Sequence, residues 1–140
     1  MKALLLESVR KRARNCCEYC LMPEKYDEVP FEIDHIVAQQ HDGKTVPSNL
    51  ALVCFADNHH KGPNLGGVDP KTGKRTWLFH PRRQKWTRHF RWDGPVLVGR
   101  SAVGRATIAV LAMNLGYRVR QREQLIAEGV FPPTRNDDQD

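Results

Sequence analysis

Apolar and polar residues follow two different periods along the first half of the chain. Between residues 2 and 15 the apolar residues recur every four positions while basic side chains cover most of the remaining surface, a spacing that predicts an amphipathic helix. Apolar and charged residues alternate over residues 31–37, which predicts a strand. Residues 49–54 begin a second apolar element, and residues 55–61 suit one or two helical turns before a Gly-Pro stop. The predicted order is strand, loop, strand and short helix.

The second half of the chain is less regular. Residues 63–75 are rich in Gly, Pro and Lys and predict a long ordered loop or a linker. Residues 76–79 predict a short strand. Residues 86–92 alternate well enough to predict another strand, with its aromatic side chains on one face and a partner strand at residues 96–98. We therefore expect a small β-hairpin here, with most of the aromatic side chains in the core.

Two helices are predicted near the end of the chain, over residues 101–115 and 118–128. The chain has 140 residues, which is the usual size of one domain, so residues 1–130 are predicted to form a single domain. Residues 131–140 are predicted to form a disordered tail. A domain of this size buries a modest core, and a structural metal would add to its stability.

The positive charge of the chain is concentrated in one block. The formal net charge is +6, and residues 61–100 hold ten of the 22 Lys and Arg residues but two of the 16 Asp and Glu residues. Such a block is typical of a protein that binds the phosphate backbone of a nucleic acid, although a basic surface that only aids solubility has the same composition. The candidate nucleic-acid-binding residues are Lys61, Lys74, Arg75, Arg82, Arg83, Lys85, Arg88 and Arg91.

The apolar runs of the chain are far shorter than the ~18–20 residues that a membrane span needs. The N-terminal residues 1–7 hold only a brief apolar stretch before a charge and do not resemble a secretory signal. We therefore expect a cytoplasmic protein without membrane association. In that compartment the four cysteines would be reduced thiols or metal ligands rather than disulfides.

The thiols form one complete Cys-x-x-Cys knuckle and one incomplete one. Cys17 and Cys20 have the spacing of a zinc knuckle, whereas Cys54 is followed three positions later by Asp57, where a second thiol would be expected. Because a carboxylate can ligate zinc, Cys17, Cys20, Cys54 and Asp57 are a candidate structural zinc site. His59 or His60 could instead supply the fourth ligand. Alternatively, the cysteines are small buried apolar groups that hold no metal.

Between and beside these knuckles stand the groups that phosphodiester hydrolysis requires. A neutral His near pH 7 can take a proton from an attacking water, and His35 is a candidate for that role. A hard divalent ion prefers carboxylate and amide oxygens, which Asp34 and Asn58 offer. The amide of Asn49 could steady the loop that carries His35. Together the four residues predict a metal-assisted nuclease site.

These residues resemble the HNH endonuclease family, whose nuclease core is the ββα-metal fold. The resemblance is carried by four segments, which are Cys17-Glu18-Tyr19-Cys20, Ile33-Asp34-His35-Ile36, Asn49-Leu50-Ala51-Leu52-Val53-Cys54 and Asn58-His59-His60-Lys61-Gly62. It implies that His35 is the general base and that Asn49 orients this base. It also implies that Asp34 and Asn58 hold a catalytic Mg²⁺ or Mn²⁺ ion, with His59 as an alternative ligand.

The resemblance divides the predicted domain into a core of about residues 14–62 and a basic β/α extension over residues 63–130. The extension is similar to the C-terminal part of small stand-alone bacterial HNH proteins. The expected fold is therefore α+β. It has a ββα-metal core that carries an N-terminal helix and a zinc knuckle, followed by a small β-hairpin and C-terminal helices.

The function that the resemblance implies is metal-dependent endonucleolytic hydrolysis of DNA, with double-stranded DNA as the partner. One alternative is a catalytically inactive nucleic-acid-binding module on an HNH or zinc-ribbon scaffold. Another is a zinc-ribbon interaction protein that has no nucleic-acid role. Plasmid cleavage with and without Mg²⁺ distinguishes the first two functions, and salt-dependent DNA binding excludes the third.

Overall fold

The computed structural model describes residues 2–134 and shows an α+β protein in that range. Its strands form three separate two-stranded antiparallel sheets. In chain order the elements are α1 (Ala3–Arg12), β1 (Glu32–His35), β2 (Leu50–Val53), α2 (Phe55–Lys61), β3 (Gly66–Val68), β4 (Arg75–Trp77), α3 (Trp86–His89), β5 (Phe90–Asp93), β6 (Val96–Gly99), α4 (Ala102–Val110) and α5 (Gly116–Ala127). No helix within residues 2–134 combines the length and the apolar character that crossing a membrane requires.

The first sheet is a hairpin of β1 and β2, and α2 follows it directly. His35 lies opposite Leu50 in the register of this pair. All four residues of β2 are buried, as expected for a continuous apolar run in a small core. The Cys-x-x-Cys knuckle lies along the other edge of β2, where Glu18 N donates to Leu52 O at 2.9 Å and the Glu18 carboxylate accepts from Leu52 N at 2.8 Å. The predicted order of strand, loop, strand and helix is confirmed.

The segment predicted as a loop or linker, residues 63–75, holds β3 and leads into β4. Asp69, which lies between the two strands, is fully buried. Its carboxylate accepts hydrogen bonds from Arg105 at 2.8 and 2.9 Å and from Thr72 at 2.9 Å. The Arg105 guanidinium holds the pKa of Asp69 well below its usual range. The prediction of a loop or linker was therefore wrong. The hairpin is held against α4 by the contact of Asp69 with Arg105 and not by alternating apolar residues, so the periodicity of the sequence did not indicate its strands.

The strand predicted over residues 86–92 is two elements, the short helix α3 and then β5. Trp86 and Phe90 are both buried, and their ring centroids lie 5.1 Å apart. A spacing of four residues places two side chains on one face of a helix as well as on one face of a strand, so the aromatic pattern fitted both structures. The predicted core role of these aromatics is nevertheless correct, and the Trp86 indole donates to Tyr19 O at 2.8 Å. The partner strand is β6.

The two C-terminal helices differ in their bounds from the prediction. Helix α4 ends at Val110, and the chain turns through Ala112 at φ 50° before α5 begins at Gly116. Leu115, which the longer helix would place on a buried face, is 41% exposed. Phe131, which the sequence assigned to the tail, is buried and its ring lies 5.2 Å from that of Trp92. The rest of the predicted tail, residues 135–140, lies outside the described residues.

Gly104 lies in α4 where that helix passes close to the backbone of α3. A Cβ atom at this position would lie 2.0 Å from the carbonyl oxygen of His89, a contact that no side-chain rotation relieves. Gly104→Ala is expected to lower the free energy of unfolding by about 1–3 kcal/mol in urea titrations, although Ala is favoured over Gly by ~1 kcal/mol in an open helix. Gly116→Ala is the matched control, since a Cβ there meets only the end of the Arg120 side chain at 3.1 Å. Equal effects of the two substitutions would contradict this assignment.

Candidate active site and metal centre

Strand β1 and helix α2 face each other through polar side chains. Glu32 and Asp34 alternate in β1 and therefore lie on the same side of the strand. Asn58 Nδ2 donates to Glu32 Oε2 at 2.8 Å, and Lys61 Nζ donates to Asp34 Oδ2 at 2.9 Å. Because Asn58 and Lys61 are three residues apart on a helix, both reach the strand from one helical face. The structure thus brings Asp34 and Asn58, the two predicted ligands of the catalytic ion, to the same interface.

His35 is the last residue of β1, where the chain leaves the strand for the loop of residues 36–49. Its imidazole is half-buried, and Nε2 lies 2.8 Å from Thr45 Oγ1 in that loop. The contact gives the ring a fixed partner at one nitrogen. The imidazole is therefore oriented by the loop and remains partly accessible to solvent.

Asn49 joins the two ends of the loop that follows His35. Its Oδ1 accepts from Val37 N at 2.8 Å, and its Nδ2 donates to Val37 O at 3.0 Å and to Lys44 O at 2.9 Å. The side chain is buried, so these hydrogen bonds are shielded from water. This arrangement suits the loop-steadying role predicted for Asn49, because the loop also carries Thr45.

Lys61 was predicted to contact nucleic acid, and its position argues against that role. The side chain is 2% exposed, and its ammonium donates to Asp34 Oδ2 and to His35 O at 3.4 Å. The side chain lies inward because α2 turns this face toward β1. The ammonium forms an ion pair with the Asp34 carboxylate across the interface of β1 and α2. Lys61 is therefore better described as a positioning group for the site than as a phosphate contact.

The four residues of the predicted zinc site come together in the core. Cys17, Cys20, Cys54 and Asp57 are all buried, and each offers one ligand atom within 4.8 Å of the others. Cys20 Sγ and Cys54 Sγ are 3.7 Å apart, and Cys17 Sγ and Asp57 Oδ2 are 3.2 Å apart. Thiolates at ~2.3 Å from a zinc ion with tetrahedral angles are about 3.8 Å apart. The donor set therefore fits one tetrahedral ion.

The other candidates for the fourth zinc ligand lie elsewhere. His59 is exposed and stacks on Phe55 with ring centroids 5.8 Å apart, and His60 packs against the edge of the His59 ring. Neither histidine belongs to the cluster found in the described part of the chain, and the same is true of Cys16. No disulfide joins any of the four cysteines in the described part of the chain.

Asp57 is held by an arginine that sequence reasoning missed. Arg118 of α5 is buried, and its Nη2 donates to Asp57 Oδ1 at 2.8 Å while Asp57 Oδ2 faces Cys17. The other guanidinium nitrogen donates to the backbone oxygens of Leu111 at 3.1 Å and Ala112 at 3.3 Å. One carboxylate oxygen is thus turned toward the thiols, and the other is bound to a cation.

Arg118 compensates negative charge at the buried cluster of thiols and Asp57. Burial and the nearby Cys20 thiolate raise the pKa of Asp57 to about 7, and Arg118 opposes that shift. Three thiolates and a carboxylate around a divalent ion leave an excess of negative charge, which is costly in a buried site unless a cation compensates it. A buried Asp in place of a thiol implies a cationic partner, but the sequence alone did not indicate which basic residue supplies it.

Several of the predicted basic residues line one groove. A cavity of about 400 Å³ is bordered by Arg82, Arg83 and Lys85 together with Arg12 and Arg14 from the N-terminal helix and the turn after it. The two N-terminal arginines were not predicted as part of this surface, since they lie far from the basic block in sequence. Within the groove Arg82 forms an ion pair with Glu18. The other predicted cations, Lys74, Arg75, Arg88 and Arg91, are exposed but do not border this groove.

Comparison with known proteins gives a match to a protein-family model. Residues 17–64 match the family model described as HNH endonuclease. This segment includes both knuckles and all of β1, β2 and α2, and so contains the residues of both sites except Arg118. No curated protein and no solved structure gives a significant match to the chain.

Proposed function

We propose that this chain, whose residues 17–64 match the family model described as HNH endonuclease, hydrolyses phosphodiester bonds in DNA with His35 as the general base. The observation that carries the proposal is the shared interface of β1 and α2. Asp34 and Asn58 lie on the two elements that meet at this interface, His35 follows Asp34 in the chain, and Asn49 braces the loop that orients the imidazole. A carboxylate, an amide and an oriented imidazole are the groups that metal-assisted hydrolysis requires.

His35 would accept a proton from the attacking water. When Nε2 carries the ring proton and donates to Thr45 Oγ1, the lone pair of Nδ1 is left to receive that proton. The hydrogen bond to Thr45 fixes the orientation of the ring, and it is compatible with this tautomer because a hydroxyl can donate or accept. Asn49 acts indirectly, because its side chain holds the loop that contains Thr45.

Asp34 and Asn58 are proposed to hold Mg²⁺ or Mn²⁺ through their oxygens. Lys61 binds Oδ2 of Asp34, and no hydrogen bond to Oδ1 is found within residues 2–134. Glu32 binds the amide nitrogen of Asn58, which directs the amide oxygen away from Glu32. When bound, a divalent ion supplies positive charge for the leaving oxygen of the phosphodiester. Lys61 and Glu32 would thus orient the two ligands.

The buried cluster of three thiols and Asp57 is proposed to bind zinc, because thiolate-rich tetrahedral sites favour that ion. Its role would be structural, since each of the four residues is at most 3% exposed. The zinc would join the knuckle to α2, and Arg118 would extend the connection to α5. The nuclease core and its C-terminal extension would then depend on the same ion.

Double-stranded DNA is the proposed substrate because of the basic groove. Arg12, Arg14, Arg83 and Lys85 add positive charge to a concave surface that contains one acidic residue, Glu18. Such surfaces bind phosphate backbones without sequence preference, and the affinity falls as salt rises. Residues 74 and 75 would add contacts from the β3–β4 hairpin, and residues 88 and 91 from α3 and β5.

Cleavage of supercoiled plasmid tests this function. Zinc-loaded protein, dialysed free of other divalent ions, is expected to convert plasmid to nicked or linear DNA when Mg²⁺ or Mn²⁺ is added and to leave it intact otherwise. Omitting the catalytic ion is preferable to adding a chelator, since a chelator would also remove the structural zinc. Salt-dependent binding without cleavage in Mg²⁺ and in Mn²⁺ would contradict the proposal and support a binding module instead.

A further inference from the structure

Trp77 is the most exposed aromatic side chain in the described part of the chain. It is the last residue of β4 and is 71% exposed. Its partner in the register of the hairpin is Gly66, which has no side chain to cover the indole. No other aromatic ring among residues 2–134 stacks on it. Single exposed apolar side chains are common on protein surfaces, so a binding role for Trp77 depends on the groups that surround the indole.

The indole borders a cavity beside the proposed nuclease site. The cavity measures about 420 Å³, within the ~300–1,000 Å³ range of sites for small ligands. Ile36, which directly follows His35, and Lys61, which binds Asp34, both line it. The cavity beside Trp77 therefore adjoins the proposed nuclease site through Ile36 and Lys61.

The walls of this cavity combine apolar surface with a few polar groups. Val37, Leu65 and Leu78 supply the apolar surface near the indole. Arg83 lines both this cavity and the basic groove, so it connects the two. His80 is fixed by its Nδ1, which accepts from the backbone nitrogens of residues 82 and 83 at 3.2 and 3.3 Å, so its Nε2 is the donor toward a ligand.

We propose that Trp77 and this cavity form a subsite for one unpaired nucleobase of the bound strand, with the base stacked on the indole and the adjacent phosphate on Arg83. The inference rests on the proposed function, which identifies the bound strand as DNA. Stacking is favoured because every base has a flat π-surface, and the neighbouring cations Arg75 and Arg83 complement the phosphates. A continuous duplex keeps its bases paired and must extrude one at a cost, so gapped or bulged DNA would bind more tightly.

Binding measurements with the His35→Ala protein test the subsite without interference from cleavage. The probes are a fully paired DNA duplex and the same duplex with a short single-stranded gap. Trp77→Ala, added to this background, is expected to weaken binding of the gapped probe by about tenfold or more and to change binding of the paired probe less than twofold. Trp77→Phe should retain most of the affinity for the gapped probe. Circular dichroism confirms that each variant is folded.

Tyr117→Ala is the matched control, since this aromatic side chain is 54% exposed on α5 and lines a different cavity. It is expected to leave both affinities unchanged. Three results would overturn the subsite. Trp77→Ala could leave binding of the gapped probe unaltered, it could weaken binding of both probes equally, or the His35→Ala protein could fail to bind either probe. A loss of affinity confined to the gapped probe would support the subsite even if the wild-type protein proved unable to cut DNA. The test of this inference is therefore separate from the test of the proposed function.

Discussion

His35→Ala is expected to lower the rate of plasmid cleavage by about 10²–10⁴-fold, the usual contribution of a general base. The substitution removes the imidazole that is proposed to accept the water proton but leaves the contact of Lys61 with Asp34 and the contact of Asn58 with Glu32 unchanged. The affinity for DNA at fixed salt should therefore change less than twofold. Initial rates of nicking and a parallel binding titration measure the two quantities on the same protein.

His59→Ala is the matched control for this experiment. His59 lies 24 positions later in the chain, is exposed on α2, and stacks on Phe55 instead of facing β1. Its replacement should leave the cleavage rate within about twofold of wild type, in keeping with the small effects of most surface substitutions. Full activity of His35→Ala, or a loss confined to His59→Ala, would contradict the assignment of the general base and point to the alternative ligand predicted from the sequence.

Asp57→Ala is expected to cause loss of the proposed structural zinc and to lower the free energy of unfolding by about 3–5 kcal/mol, the cost of leaving a buried charge without its partner. The substitution removes the proposed fourth metal ligand and also leaves the Arg118 guanidinium without the carboxylate that it contacts at 2.8 Å. Such a loss is a large part of the ~5–15 kcal/mol that a domain of this kind has in total. Zinc analysis of the purified protein and urea unfolding measure both effects. Cys16→Ala is the control, because that thiol lies outside the cluster and its removal should change neither quantity.

Two further variants separate the metal from the ion pair. Asp57→Cys restores four thiols and should bind zinc, but it leaves Arg118 buried without its carboxylate and should therefore remain less stable than wild type. Adding Arg118→Met removes the stranded charge and should recover stability while zinc stays bound. Zinc content in Asp57→Ala equal to that of wild type would show that Asp57 is not a ligand. A double variant no more stable than Asp57→Cys would show that Arg118 does not depend on Asp57.

Much of the candidate site could be predicted from the spacing of residues along the chain. The two knuckle residues, the Asp-His pair and the residues from Cys54 to Lys61 lie within one short stretch, and their chemistry can be read from residue type and distance along the chain. The apolar run of β2 and the alternation of β1 likewise predicted the hairpin, because their periods differ clearly from that of a helix. The prediction failed where one spacing suited two structures, as it did for Trp86 and Phe90.

The sequence by itself determined the ββα order, the ligand types and the concentration of positive charge, since each depends on residues that are close together in the chain. Only the tertiary structure decided which cations meet which anions. Arg118 is 61 positions from Asp57, Arg105 is 36 positions from Asp69, and Lys61 is 27 positions from Asp34. Many basic side chains could satisfy a buried carboxylate, and no local preference distinguishes among them. The choice depends on which helix packs against the site, and that is set by the burial of the whole core.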